Sequence, residues 1–170
     1  MSIKRRLFFL ILVFLIPLLL VAADYLIPEQ KGVESKGLGY IAAYQSNDDR
    51  LWQIWCHRTV SGQTDTVRVS PDIDPGAGRA GYSEPTLMAA GWTIYCAMLV
   101  HKQVSGDSAY VMVRRSTDFG DTWETLATIG ESQAIARSLR ANYLDGELHL
   151  IWEDCRSGYW RIYHEEITNL

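Results

Sequence analysis

The chain has 170 residues, 48% of them apolar, with six Trp, nine Tyr and four Phe, which excludes a disordered polymer. With Met1–Ala23 set aside, 147 residues remain, the size of one ordinary domain. Those first 23 residues hold Lys4, Arg5 and Arg6 and no acid, so the rest carries 13 of the 16 Lys and Arg against all 20 Asp and Glu. That balance, with no basic stripe, excludes nucleic acid as the expected partner, because phosphate contacts need clustered cations.

From the N-terminus, Lys4-Arg5-Arg6 precedes Leu7–Ala23, seventeen residues without a charge. The run predicts an N-terminal hydrophobic helix, short for a membrane span and long for a signal-peptide core. Val21 and Ala23 place small residues at −3 and −1 of a cut before Asp24. A signal peptide and an anchor both fit. If uncleaved, residues 7–23 make the membrane a partner. In either case residues 24–170 are expected outside the cytoplasm: secreted, periplasmic or membrane-anchored.

Residues 24–37 are polar with Pro and Gly and read as a linker. Beyond them, short runs rich in Trp, Tyr, Ile and Val alternate with Gly, Asp, Ser and Asn. The runs are Tyr40–Tyr44, Leu51–Arg58, Thr64–Val69, Thr86–Ala89, Thr93–Leu99, Tyr110–Arg115, Trp123–Ile129, Leu148–Trp152 and Trp160–Ile167. Such spacing predicts an all-β sandwich, barrel or propeller. Glu131–Ala141, between two strand sets, reads as a connecting loop rather than a helix.

The strands repeat. Ile54-Trp55-Cys56, Ile94-Tyr95-Cys96 and Ile151-Trp152-Glu153 look like one strand used three times, each followed by a second common strand: Thr64–Ser70, Tyr110–Ser116 and Arg161–Ile167. Asp72, Asp118 and Asn169 fall at equivalent places just beyond. A period of roughly 45–50 residues with about four strands is that of a propeller blade. The units are 38–78, 79–134 and 135–170.

Ser116-Thr117-Asp118-Phe119-Gly120-Asp121-Thr122-Trp123 fits S-x-D-x-G-x-T-W at all five fixed positions. It resembles the Asp-box, or BNR repeat, of sialidase-like proteins. The chemistry suits a hairpin turn: the carboxylate accepts turn N–H groups, Gly supplies positive φ and Trp packs beneath. The first unit keeps Ser70 and Asp72, with Asp74 in place of Gly; in the third, Asn169 takes the Asp place. Leu148–Gly158, ending in Arg161-Ile162-Tyr163, is similar to a strand–turn–strand of sialidase-like blades, where Asp154 and Arg156 would form an ion pair holding the turn. Tyr25-Leu26-Ile27-Pro28 resembles the family's early F-R-I-P motif with Leu26 in place of Arg.

The resemblance implies a partial sialidase-like β-propeller of about three four-stranded blades over residues 38–170. It implies an exported, carbohydrate-active protein related to exo-sialidases, with a terminal sugar on a glycan or glycoconjugate as partner. In that family Asp-boxes are structural and lie away from the active site, so Ser116, Asp118, Gly120, Thr122 and Trp123 are expected to hold the fold. Sialidase chemistry uses three Arg on the substrate carboxylate, a Tyr nucleophile activated by a Glu, and an Asp acid/base.

If each unit begins with its innermost strand, the loops entering those strands face a central funnel. They offer Arg79, Tyr82 and Glu84 in the second unit, and Arg137 and Arg140 in the third. Arg79 and Arg137 are the substrate-binding candidates, since Arg captures a carboxylate through two hydrogen bonds. Tyr82 and Glu84, two apart on one strand, share a face and would form the catalytic pair. The bland alternative is that all five are solvated turn and edge residues.

No cofactor or metal is expected. Asp72–Gly76 lacks the spacing of a calcium loop and reads as a turn. His57, His101, His149 and His164 are scattered without ligand spacing, and Cys56, Cys96 and Cys155 read as small buried hydrophobes. Trp52, Trp55, Trp92, Trp152 and Trp160 are expected mainly between blades, with some on a sugar-stacking surface. Three functional readings follow: a sialidase-type glycoside hydrolase, incomplete or inactive as a single chain; a non-catalytic propeller binding a glycan or protein; and a truncated segment without independent function. Because propellers close with about four to eight blades, a homo-oligomer completing the ring is a further expectation.

Overall fold

The computed structural model describes residues 31–35, 39–47, 52–71, 79–103, 107–132, 135–168 and 170. The expected N-terminal helix over residues 1–23 lies outside them. Among the described residues no helix is long and apolar enough to cross a membrane. They form eleven strands: β1 (Lys31–Ser35), β2 (Gly39–Ser46), β3 (Gln53–Val60), β4 (Gln63–Arg68), β5 (Arg79–Ala90), β6 (Thr93–Gln103), β7 (Asp107–Ser116), β8 (Glu124–Ser132), β9 (Ala136–Leu144), β10 (Glu147–Asp154) and β11 (Arg161–Ile167).

The strands make three antiparallel meanders, ordered β1-β2-β3-β4, β5-β6-β7-β8 and β9-β10-β11. Each is a blade. The strands β1, β5 and β9 that open the blades lie next to one another, β5 touching both of the others, so they are the inner strands. The middle blade is buried on both faces. Along β6, Ile94, Cys96, Met98 and Val100 enter a core shared with the first blade, while Tyr95, Ala97 and Leu99 enter a second core shared with the third. A period-two strand with no polar face is what stacking on both sides requires.

Several expectations are corrected. The linker over 24–37 is not wholly a linker, because Lys31–Ser35 forms β1 against β2. Residues 131–141 are not a loop throughout: β8 runs to Ser132 and β9 starts at Ala136. The threefold strand repeat is also misaligned. Ile54-Trp55-Cys56 lies on β3, the third strand of its blade, whereas Ile94-Tyr95-Cys96 lies on β6, a second strand. In the third blade the register pairs Leu148 with Ile167, as Ile94 pairs with Ser116, so Leu148 rather than Ile151 is the equivalent of Ile94.

Ser70 consequently lies at the other end of its blade from Ser116. Its hydroxyl donates to Gln53 Oε1 (2.6 Å) and accepts from Ile54 N (3.2 Å), closing the end of β4 onto β3. The first-blade counterpart of the Ser116–Trp123 turn is the two-residue β3–β4 hairpin of Ser61 and Gly62, both at positive φ. Asp72, Asp74 and Asn169 lie outside the described residues.

The Ser116–Trp123 turn joins β7 to β8. Asp118 Oδ1 accepts from Ser116 Oγ (2.7 Å), Asp121 N (3.0 Å) and Thr122 N (2.9 Å), and Oδ2 accepts from Thr122 Oγ1 (2.6 Å). Ser116 Oγ accepts from Gly120 N (2.7 Å), and Trp123 Nε1 donates to Gly120 O (3.1 Å). Burial pushes the Asp118 carboxyl up. The bonds from Thr122, Ser116 and Asp121 outweigh it and hold the group at about 2. The turn also docks on the first blade. Phe119 is fully buried, Arg58 reaches Asp121 (2.5 Å), and a Cβ on Gly120 (φ +88°) would stand 2.5 Å from Ile41 Cδ1.

Candidate functional site

The opposite end of the blades, where β5 and β9 begin, holds the sequence-expected site residues. Both inner strands are interrupted there by a bulge. In β5 the register slips between Ser83 and Thr86; in β9 it slips opposite Ile151–Glu153. The slips carry Glu84 at φ +52° and Ser138 at φ +60°. A left-handed residue with a side chain costs about 1–2 kcal/mol, and its recurrence at the matching place in two blades marks a shared device. A bulge re-aims a side chain.

The re-aiming separates Tyr82 from Glu84. Strict alternation would put them on one face, but the bulge breaks it. Tyr82 is buried in the core between the first two blades, and its N–H donates to Trp52 O (2.9 Å). Burial, then the neighbouring Tyr110, pushes its phenol up; Arg114 and Arg68 oppose this without cancelling it. A nucleophilic Tyr needs the reverse. Glu84 reaches the other way, across to the third blade, where Oε2 accepts from Leu139 N at 2.7 Å. Leu139 N lies within the β9 bulge, so Glu84 satisfies a donor that the slip frees.

Arg79 is the first residue of β5 and pairs with Gln103; its side chain lies outside the description. Arg137, near the start of neighbouring β9, donates from Nε to Glu153 Oε2 (2.7 Å), and its guanidinium carbon lies 3.9 Å from the Trp160 ring centroid. Ser138 Oγ reaches the same carboxylate oxygen (3.4 Å). The Arg137 side chain is 53% exposed, and its two terminal nitrogens have no partner among the described residues. Arg79 and Arg137 thus lie near the starts of two adjoining inner strands, while Arg140 turns back to its neighbour's carbonyl, Leu139 O (2.8 Å).

Sequence reasoning missed Glu153 and the specific role of Trp160. The signal for Glu153 is register alone, since it lies directly opposite Arg137. Trp160 ends the segment after β10, and that segment is held by the ion pair read from the sequence. Arg156 grips Asp154 with Nε at 2.9 and 2.7 Å from the two oxygens, with its backbone N at 3.1 Å and through Nη2. Trp152 Nε1 adds a bond (3.2 Å), and the Arg156 guanidinium lies 4.1 Å over Tyr163. Burial raises the Asp154 carboxyl, but the bonds from Arg156 and Trp152 win and hold it below the usual carboxylate range. Gly130 of the second blade lies against this clamp; a Cβ there would sit 2.9 Å from Arg156 Nη2.

The arrangement can present a fixed cation beside an exposed indole, at one end of adjoining inner strands. That combination suits an anionic or polyhydroxylated ligand with an apolar face.

No family model matches the sequence, and no curated protein matches it. Among solved structures the chain is similar to an α-L-arabinofuranosidase of Fusarium graminearum. It aligns with a mutant of that enzyme bound to an iminosugar inhibitor at 14% identity and TM-score 0.60, covering 85% of this chain and 46% of that one. A second iminosugar complex gives 12% identity, TM-score 0.60 and coverages of 86% and 46%. The complex of the GH93 enzyme with arabinobiose gives 13%, 0.60, 85% and 46%. The likeness shows the fold, blades of a β-propeller, and the chain spans about half the length of these neighbours.

Proposed function

We propose that this chain is a carbohydrate-directed propeller of sialidase-like, Asp-box ancestry, binding a terminal sugar at the end where β5 and β9 begin. The observation that carries this reading is the Arg137–Glu153–Trp160 cluster near the start of β9, on a fold shared with a glycosidase solved with sugar ligands. Arg137 and Arg79 are the ligand-binding cations, and Glu84 is a positioning residue that locks the β9 bulge carrying Ser138. The basic and apolar N-terminus supports export, with residues 24–170 outside the cytoplasm.

The separation of Tyr82 from Glu84 favours binding without hydrolysis by this chain alone. The test is calorimetric titration of the full chain with arabinobiose and with sialyllactose, beside turnover of aryl arabinofuranoside and aryl sialoside. Saturable binding lost in Trp160→Ala, with no turnover, is expected. No binding of either sugar overturns the proposal. Turnover of either aryl glycoside by the unaltered chain overturns the non-catalytic reading.

A further inference from the structure

The third blade has a second face. Along β10, Leu148, Leu150 and Trp152 enter the core against the middle blade, which leaves His149, Ile151 and Glu153 on the other side. On β11, Tyr163 and Ile167 pack inward, leaving Ile162, His164 and Glu166 outward. The register sets Glu166 directly opposite His149 and His164 opposite Ile151, so the second imidazole lies diagonal to the first. The two rings are parallel within 3°, with centroids 5.8 Å apart. Both edges meet one carboxylate oxygen: Glu166 Oε1 is 3.5 Å from His149 Nδ1 and 3.8 Å from His164 Nε2.

We propose that His149, His164 and Glu166 bind a divalent transition-metal ion of the zinc type, with the fourth coordination position open on the outer face. One ligand atom from each lies within 4.8 Å of the other two. Around tetrahedral zinc, with bonds near 2.0–2.2 Å, neighbouring ligand atoms stand about 3.3 Å apart. Small side-chain rotations close that gap, since the sheet already fixes the three Cα positions. Two imidazoles and one carboxylate suit zinc, cobalt, nickel or copper rather than magnesium or calcium, which prefer oxygen donors throughout.

A fourth residue lies nearby, outside hydrogen-bond distance. His149 directs its other nitrogen toward Glu147, with Nε2 4.0 Å from Oε2. Metal-binding histidines regularly hand their second N–H to a carboxylate, which orients the ring and raises its basicity. The site lies on the same face of β10 as Glu153 of the Arg137 cluster, four residues away towards the other end of the strand. His149 is the most covered of the three, at 27% side-chain exposure, against 47% for His164 and 50% for Glu166. Entry for an ion is therefore open, and the two outer ligands can be changed without disturbing the core.

The experiment titrates the full chain, in mild detergent and freed of metal by chelation, with Zn²⁺ by calorimetry and with Co²⁺ by visible absorption. One Zn²⁺ per chain is expected, together with a Co²⁺ band of low-coordinate type that Zn²⁺ abolishes and Mg²⁺ does not. His164→Asn and Glu166→Gln should each weaken binding by about tenfold or more; His57→Asn, on the first blade, should leave it unchanged. Circular dichroism establishes that each variant is folded. Absence of saturable binding to the unaltered chain overturns the proposal. So does a stoichiometric site that survives both substitutions, because the ion then sits elsewhere.

Discussion

Replacing Asp118 by Asn isolates the charge at the centre of the Ser116–Trp123 turn. Asn keeps the shape and can still accept from Asp121 N and Thr122 N through Oδ1, so the variant removes charge more than contact. In the folded chain the carboxyl is held at about 2 against an ordinary 3.8. A depressed carboxyl contributes stability in full above its unfolded value and loses it as pH falls through the folded one. The difference is worth about 2 kcal/mol at neutral pH, about 1 kcal/mol at pH 3, and under about 0.5 kcal/mol at pH 2. Urea denaturation followed by Trp fluorescence, at pH 7, 5 and 3, measures it for the native chain and Asp118→Asn. The gap between them should be nearly constant from pH 7 to 5 and about halve by pH 3. A gap equally large at pH 3, or none at pH 7, would refute the account of the turn as a charge-assisted hydrogen-bond centre.

Gly120→Ala meets both a left-handed backbone and the Ile41 methyl, and should destabilise by about 2–3 kcal/mol, whereas Gly146→Ala (φ +91°) meets nothing within 4 Å and should cost only about 1 kcal/mol. Equal shifts in thermal midpoint would show that the turn does not dock on the first blade. Arg156→Ala leaves the Asp154 carboxylate, 1% exposed, without its counter-charge, and should cost about 3 kcal/mol in chemical denaturation. A loss below about 1 kcal/mol would show that the clamp is dispensable. Cys56 and Cys96 are buried, and burial pushes the Cys56 thiol to about 11 despite the opposing Val67 backbone, Arg58 and Trp123. A thiol reagent should therefore label Cys155 rapidly in the folded chain and the other two only after denaturation; three fast thiols would contradict the packing.

Side-chain period and turn chemistry carry a long way here. Runs within β3, β6 and β7 fall on strands, and between β7 and β8 Asp118 accepts from Asp121 N and Thr122 N within a few residues of itself. The Asp154–Arg156 pair is legible for the same reason, since its partners are two residues apart and need no fold to meet. Where strands sit in a blade is not legible. A short apolar run has the same look on a second or a third strand, so Ile54-Trp55-Cys56 passes for the equivalent of Ile94-Tyr95-Cys96. Equal spacing in sequence misleads as well: β3 and β4 are joined by two residues, but β10 and β11 by a longer segment through Trp160.

By itself, then, the sequence determined an all-β chain of repeated strands, an acidic part behind a basic and apolar N-terminal segment, and one turn fixed by local hydrogen bonds. Tertiary structure decided the rest. Only the bulges reveal that Tyr82 and Glu84 part company, because a one-residue slip sends a side chain to the other face. Only cross-strand register brings Arg137 to Glu153, and His149 and His164 to Glu166, because antiparallel pairing makes neighbours of residues that sequence spacing holds apart.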